Sequence, residues 1–354
     1  MSHTKEDLKA LQAKSLDEKI QISTARIIEW YECWGGQVAV SFSGGKDSTV
    51  LLDLVRRIYP DVPAIFCDTG LEFPEVREFA RSIENVEILK PQKTFTQTLS
   101  TIGYPLGSKE AAMKIEYGRK ARARGDMWHF NYYCNGLRHG KDGTDFVYMP
   151  VSKKLYPLID APVRISNRCC YIMKKAPIHQ YCKSTGRRTI NGTMASESKL
   201  REAGWIKTGC NVFAKGREVS HPLSFWVEQD IMKYIERFNL RYASVYGDLT
   251  RNADGALMFT GRQRTGCVFC GFGCHLEKEP NRFQQLAITH PQLYDYCMRG
   301  GKFDEQGMWV PDKGLGMAKV LDYINVKWWN TDDQRDTYRA AYQAKEKEHE
   351  NMDG

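Results

Sequence analysis

Long apolar runs are missing from this sequence. None approaches the ~20 residues that a membrane-spanning helix needs, and residues 1–15 are polar, without the apolar core of a secretory leader. Internal repeats and long linkers are also absent. These features argue against a membrane partner and lead us to expect a cytoplasmic protein in a reducing compartment. Acid is in mild deficit: 51 Lys and Arg against 43 Asp and Glu leave a net charge of +8. That balance permits a nucleic-acid partner without requiring one. Hydrophobic residues at 42% against 27% charged exclude a disordered chain. The 354 residues suffice for about two domains, with a core that needs no covalent staples. Cysteine is not scarce. There are eleven, and in a reducing compartment an odd number argues for metal ligands or chemistry over a disulfide framework.

Apolar periodicity predicts a helix over residues 16–34, closed by Gly35-Gly36. A short strand over 38–42 runs into Ser43-Gly44-Gly45-Lys46-Asp47-Ser48 and a helix over 49–58. A second strand, 64–67, ends at Asp68-Thr69-Gly70; a helix opens at Pro74 and runs to about residue 83, followed by a third strand over 86–89. This alternation specifies a parallel sheet with right-handed crossovers, in which ligands bind beyond the carboxyl ends of the strands. Both polar clusters, 43–48 and 68–72, fall at such ends. Residues 109–141 hold eight Lys and Arg against three acids, interleaved with Tyr117, Trp128, Phe130, Tyr132 and Tyr133. That mixture suits a phosphate backbone and stacked bases, or else a solvated helical face with a few core aromatics. A further helix is predicted over 222–238, and the charged stretch 340–354 is expected to fray.

The loop 43–48 carries the strongest signal. Two glycines let backbone N–H groups turn toward an anion, the following helix adds its positive end, Ser43 and Ser48 supply hydroxyls, and Lys46 supplies a point charge. It is not a Walker A motif, which needs four residues between its glycines. Ser43-Gly44-Gly45-Lys46-Asp47-Ser48 resembles the PP-loop of ATP pyrophosphatases. Phe66-Cys67-Asp68-Thr69-Gly70-Leu71-Glu72-Phe73-Pro74-Glu75 is similar to the phosphoadenosine phosphosulfate (PAPS) reductase branch of that superfamily. The likeness continues through Ser166-Asn167-Arg168-Cys169-Cys170, Lys174-Lys175-Ala176-Pro177, Gly192, Glu197-Ser198-Lys199-Leu200-Arg201, and His221-Pro222-Leu223 with Trp226. It implies an α/β fold of the adenine nucleotide alpha hydrolase kind: a parallel twisted sheet with helices on both faces, plus a smaller, mostly helical C-terminal Cys-rich part. It also implies that Ser41, Ser43, Gly44, Gly45, Lys46, Asp47 and Ser48 hold the phosphates of ATP, with Mg²⁺ bridging them. Asp68 and Thr69 would lie near the adenosine, Lys174 and Arg201 would neutralise an anionic substrate, and Lys46 and Asp47 would serve catalysis. The expected division is an N-terminal helical segment 1–34, a nucleotide domain 35–245 with a basic insertion 105–160, and a Cys-rich region 246–354.

Cys267-Val268-Phe269-Cys270, with Cys274 just beyond, joins the upstream pair Cys169-Cys170. This arrangement resembles the ligands of the [4Fe–4S] cluster in assimilatory adenylylsulfate reductases. Thiolates suit iron–sulfur and zinc alike, so spacing leaves the metal open. Two ligand sets also remain open. In one, Cys169, Cys170, Cys267 and Cys270 bind; in the other, Cys274 replaces one of the adjacent pair, whose side chains point opposite ways in extended chain. Two departures from the reductases stand out: no cysteine follows Cys297, so their C-terminal nucleophilic segment is not seen, and Lys46-Asp47-Ser48 looks like the ATP-cleaving form of the loop. We therefore expect an enzyme that cleaves ATP at the α-phosphate and uses a cluster in sulfur transfer or reduction on a nucleic acid or other large acceptor. Cys274 is a candidate sulfur-carrying thiol, and a sulfur donor or reductant protein is implied. A sulfonucleotide reductase and a non-catalytic nucleotide-binding subunit are the competing readings.

Overall fold

The computed structural model describes residues 3–353. The chain divides into two compact units, each built from two separate segments. The first comprises residues 1–92 and 173–268; the second comprises 93–172 and 269–354.

The first unit is organised by a six-stranded sheet. Its order is Val86–Leu89, Ala64–Cys67, Val38–Ser41, Arg188–Asn191, Val219–Ser220 and Asn211–Val212. Every pairing is parallel except the last. The three strands expected from sequence are present, the first one residue shorter at its end. Val38, Ala39 and Val40 are fully buried, as a central parallel strand covered on both faces requires. Val86–Leu89 is a half-exposed edge. From the Val38–Ser41 strand the chain builds outward on one side and returns on the other through Arg188–Asn191. The strand order thus reverses between these two neighbours, and a crevice opens beyond their carboxyl ends at such a point.

Helices pack around this sheet. Leu16–Cys33 starts with a Ser15–Glu18 capping box and buries Ile27 and Trp30. On the same helix Lys19 forms a buried ion pair with Asp230 at 2.7 Å. The expected helix over 49–58 instead runs Lys46–Arg56. It begins earlier because Gly45 is its N-cap, which places Lys46, Asp47 and Ser48 in its first turn. The helix expected over 222–238 runs only Glu228–Phe238; residues 222–225 form turns after His221.

The second unit is mostly helical, with Phe95–Ile102, Lys109–Ala123, Arg282–Thr289, Pro291–Met298, Met317–Asp322 and Asp332–Asp353. Its two chain segments are interwoven. Leu106–Gly107 pairs with Gly271–Phe272, and the Tyr104 hydroxyl donates to the Leu315 carbonyl at 2.7 Å. The helical Cys-rich part expected at the C-terminus is therefore built jointly with residues 93–172, and residues 246–268 belong to the sheet unit. The stretch 340–354, expected to fray, continues the Asp332–Asp353 helix as far as the structure describes it. Among the described residues no helix is long and apolar enough to cross a membrane.

Candidate nucleotide site

The loop after Val38–Ser41 lies at the reversal of strand order. Gly44 turns it with a φ of +70°. A Cβ there would meet Val76 Cγ1 at 2.8 Å and the Val76 carbonyl oxygen at 2.9 Å. Ser48 ties the loop to the helix: its hydroxyl accepts from the Ser43 N–H at 3.1 Å and donates to the Gly45 carbonyl at 2.9 Å. The two serine hydroxyls lie 3.0 Å apart. Gly192, just past the neighbouring strand, packs so closely that a Cβ would stand 3.2 Å from the Asp47 carbonyl oxygen. The result is a tight, glycine-dependent turn feeding a helix N-terminus, where backbone donors and the helix dipole favour an anion.

Lys46 is buried in the first turn. Its ammonium donates to the Gln263 carbonyl at 2.8 Å and lies 3.1 Å from a Glu228 carboxylate oxygen. Its backbone N–H donates to the Tyr246 hydroxyl at 3.1 Å, and that hydroxyl lies 2.7 Å from Thr265 Oγ1. The segment 246–265 therefore supplies three of the loop's neighbours. Asp47 is half-buried, and its Oδ1 has no hydrogen-bond partner. Burial raises its pKa, against the pull of Lys46, while Glu228 adds to the rise and Arg264 and Arg201 oppose it. Arg201 pairs with Glu197, which also lies 3.4 Å from Arg264. Two guanidiniums thus share one carboxylate within electrostatic reach of Asp47. His221 belongs to the same neighbourhood. Burial drives its pKa down to about 4, against a backbone hydrogen bond with Asn191, and Arg201 lowers it further. Its buried Nδ1 has no partner.

The residues expected near an adenosine are engaged otherwise. Asp68 is buried, with its Oδ2 at 2.9 Å from Arg77 Nε and 2.8 Å from Arg81. Burial pushes this carboxyl up, but the arginines more than offset it and hold the pKa below the usual range. Thr69 donates to Glu72, with contacts of 2.8 and 2.9 Å, and Glu72 lies 3.6 Å from Lys174. Both residues remain at the carboxyl end of their strand, with their polar atoms committed to neighbours on the following turn and helix. Ser41 closes the central strand opposite Ile65 and Asn191.

Loop residues 43–48 and Arg201 are thus brought into one region. Tyr246, Thr265, Gln263, Glu228 and Arg264 were not foreseen, because no local motif marks them and they reach the loop only through the fold. Glu197 and His221 lay inside segments quoted for the resemblance, so a signal for them existed. A cleft of about 520 Å³ elsewhere in the same unit is lined by His3, Arg26, Trp205 and Phe213, among others, and includes none of the loop residues.

The cysteines divide differently. Cys169, Cys170, Cys270 and Cys274 belong to the second unit and Cys267 to the first. No disulfide links any of the eleven. Among the described residues, no group of three or more His, Cys, Asp or Glu side chains is found that could hold a metal ion. Cys274, the candidate sulfur carrier, is buried. Its thiol donates to the Gly271 carbonyl at 3.0 Å, and burial pushes its pKa up to about 12.

A glycine-turned loop feeding a helix N-terminus stands at the strand reversal of a parallel sheet, the architecture of a doubly wound α/β protein. The phosphoadenosine phosphosulfate reductase domain matches residues 37–143 and 149–271, well over half of the chain. The chain belongs to that family. Its relatives include an uncharacterized protein of Methanocaldococcus jannaschii, 25% identical over 86% of this chain and 61% of that protein. The adenosine 5′-phosphosulfate reductase of Halalkalibacterium halodurans is 24% identical over 33% of this chain and 54% of that enzyme. The enzyme of the same name from Staphylococcus haemolyticus is 24% identical over 62% and 70%. The chain therefore spans less than two thirds of the first two relatives' length. A solved PAPS reductase from Candida auris, in complex with phosphate, aligns with 75% of this chain and 99% of its own at 14% identity, with a TM-score of 0.35.

Proposed function

We propose that this PAPS reductase-family protein binds an adenine nucleotide by its phosphates on loop 43–48 and cleaves ATP at the α-phosphate to activate an acceptor. One observation carries the reading: a Gly44-turned loop, with buried Lys46 in the first helical turn, at the reversal of the parallel sheet. In the proposed step an acceptor oxygen attacks the α-phosphorus. The bond from that phosphorus to the oxygen bridging the α- and β-phosphates breaks, and pyrophosphate leaves with the electron pair. Lys46 and the loop amides stabilise the charge spreading over the phosphate oxygens. Arg201 and Arg264 offer guanidiniums that a phosphate can recruit from Glu197. Mg²⁺, when bound to the nucleotide, would neutralise part of its charge.

The acceptor we favour is a nucleic acid, on the strength of the basic, aromatic-rich segment 109–141, with a sulfur donor or reductant protein supplying the second substrate. An iron–sulfur cluster on Cys169, Cys170, Cys267 and Cys270, with Cys274 as the alternative ligand, rests on the family resemblance alone. The second reading, a sulfonucleotide reductase, is favoured by the relatives that bear that name.

One experiment separates these. Protein purified without oxygen is incubated with Mg²⁺ and ATP, with and without total tRNA or DNA, and pyrophosphate is assayed alongside iron and acid-labile sulfide. Pyrophosphate release stimulated by nucleic acid, and lowered by Asp47→Ala, supports the first reading. No pyrophosphate from ATP, with sulfite released from adenylylsulfate and a thiol reductant, transfers the assignment to the second. Unchanged turnover in Asp47→Ala would remove the loop from the mechanism.

A further inference from the structure

We infer that the exposed aromatic face around Trp128, in the second unit, is a stacking platform for unpaired bases of a single-stranded nucleic acid. The inference deepens the nucleic-acid reading above and rests on it. Its starting point is where apolar surface is left uncovered. Eight of the sixteen exposed large apolar side chains among the described residues fall within the forty positions 117–156. Concentration of this kind marks a contact surface, whereas scattered single residues do not.

The aromatic rings there are held in place. Trp128 is 51% exposed. Its ring runs nearly parallel to that of Tyr132, with centroids 5.6 Å apart and planes 20° apart, and to that of His139, at 6.0 Å and 19°. The indole N–H donates to His139 Nε2 at 2.9 Å, and His139 in turn contacts Asp145 across the Leu137–His139/Asp145–Val147 hairpin. The Arg138 guanidinium lies 3.5 Å from the centre of the Tyr132 ring. The indole plane is therefore oriented before any ligand arrives, and little rotamer entropy remains to be lost on binding.

Charge selects the partner's chemistry. The cations of 109–141 sort into two groups. Arg119 is consumed by the fold, its guanidinium buried against the carbonyls of Leu158, Ile159, Ala161 and Val163. Lys114 is likewise held by Glu110 and the Met149 carbonyl. Lys120 and Arg124, by contrast, have side chains 61% exposed and form surface pairs with Glu116 and Asp126. Such pairs hold little energy and yield readily to a phosphate. The carboxylates that contact the rings are held by histidines, Asp126 by His129 and Asp145 by His139. An oriented indole face in the same segment as exposed cations suits bases and phosphates together. Bases inside a duplex are stacked on one another and cannot use it, so the partner is single-stranded.

The test is fluorescence anisotropy with labelled oligothymidylate and oligouridylate, and with a labelled DNA duplex, on the full chain and on Trp128→Ala and Trp128→Phe. We expect single strands to bind with an affinity that falls as salt rises. Trp128→Ala should weaken that binding about tenfold, Trp128→Phe should restore most of it, and both variants should still unfold in a single cooperative transition. Single-strand binding unchanged in Trp128→Ala overturns the inference. Duplex binding as tight as single-strand binding, and indifferent to Trp128, overturns the platform and leaves the nucleic-acid reading standing. Binding of ATP with no binding of either nucleic acid overturns both and assigns the aromatic face to a protein partner.

Discussion

At the scale of single residues, the cradle is shaped by groups far away in sequence. The Tyr246 hydroxyl takes the Lys46 N–H, which is a donor that a phosphate would also use. Tyr246→Phe removes that competitor. We expect phosphate-containing nucleotides to bind several-fold more tightly, with a stability loss of about 1 kcal/mol from the lost hydrogen bonds, read by calorimetric titration and thermal melting. Weaker binding would instead make the hydroxyl a ligand contact. His221 supplies a pH signature. Its pKa falls from an ordinary 6.5 to about 4 in the folded protein, so between those values the unfolded chain binds the extra proton. The stability this adds is fully present above pH 6.5 and is lost as pH falls toward 4. It amounts to at most about 3 kcal/mol. Urea unfolding at pH 7 and at pH 4.5 should show the loss, and His221→Asn should flatten that part of the profile. Of these two residues the sequence marked only His221, through the His-Pro-Leu motif. Tyr246 reaches Lys46 across 200 positions, and nothing in its local sequence reports that.

At the scale of elements, backbone demands explain what was legible and what was not. Two of the three strands were readable because buried parallel strands are continuous apolar runs, and Val38 to Val40 and Ala64 to Phe66 are such runs. The start of the Lys46–Arg56 helix was not, because its cap is Gly45 and makes no side-chain capping bond; no Ser, Thr or Asp signal stood at that position. Glycines in the loops divide by what surrounds them. Gly44 and Gly70 both have φ near +70°, yet a Cβ on Gly70 would meet nothing within 4 Å, whereas one on Gly44 would strike Val76. Gly70→Ala should therefore cost only backbone strain, about 1 kcal/mol. Gly44→Ala adds a steric clash and should displace the loop, abolishing nucleotide binding as well as lowering the melting temperature. Equal effects on binding from both variants would show that the Gly44 turn does not shape the site.

At the scale of the whole molecule, the chain crosses between its two units twice, at 92–93 and 268–269, and returns once, at 172–173. A region 246–354 read as one C-terminal domain is thus two pieces of different units. Tyr246, Leu257 and Phe259 are core residues of the sheet unit. The remainder depends on 93–172, through the Leu106–Gly107 pairing and the Trp309 N–H bonded to the Pro162 carbonyl at 2.7 Å. Residues 246–354 expressed alone should give poorly dispersed amide resonances and no cooperative melt. A folded fragment would refute the division.

Sequence alone determined the parallel α/β core, the position of the glycine-rich loop 43–48 at a strand end and the family, since these depend on local periodicity, glycine and contiguous motifs. Tertiary structure alone decided which cations are available and which are consumed. The basic stretch 109–141, one undivided run of charge in the sequence, becomes exposed Lys120 and Arg124 beside an Arg119 buried under four carbonyls. The fold also decided that Tyr246 and Glu228 face Lys46, and that Cys274 is a buried thiol. The reason is physical. Burial and partnership are set by what the fold packs against a side chain, and those neighbours come from distant segments that local sequence does not record.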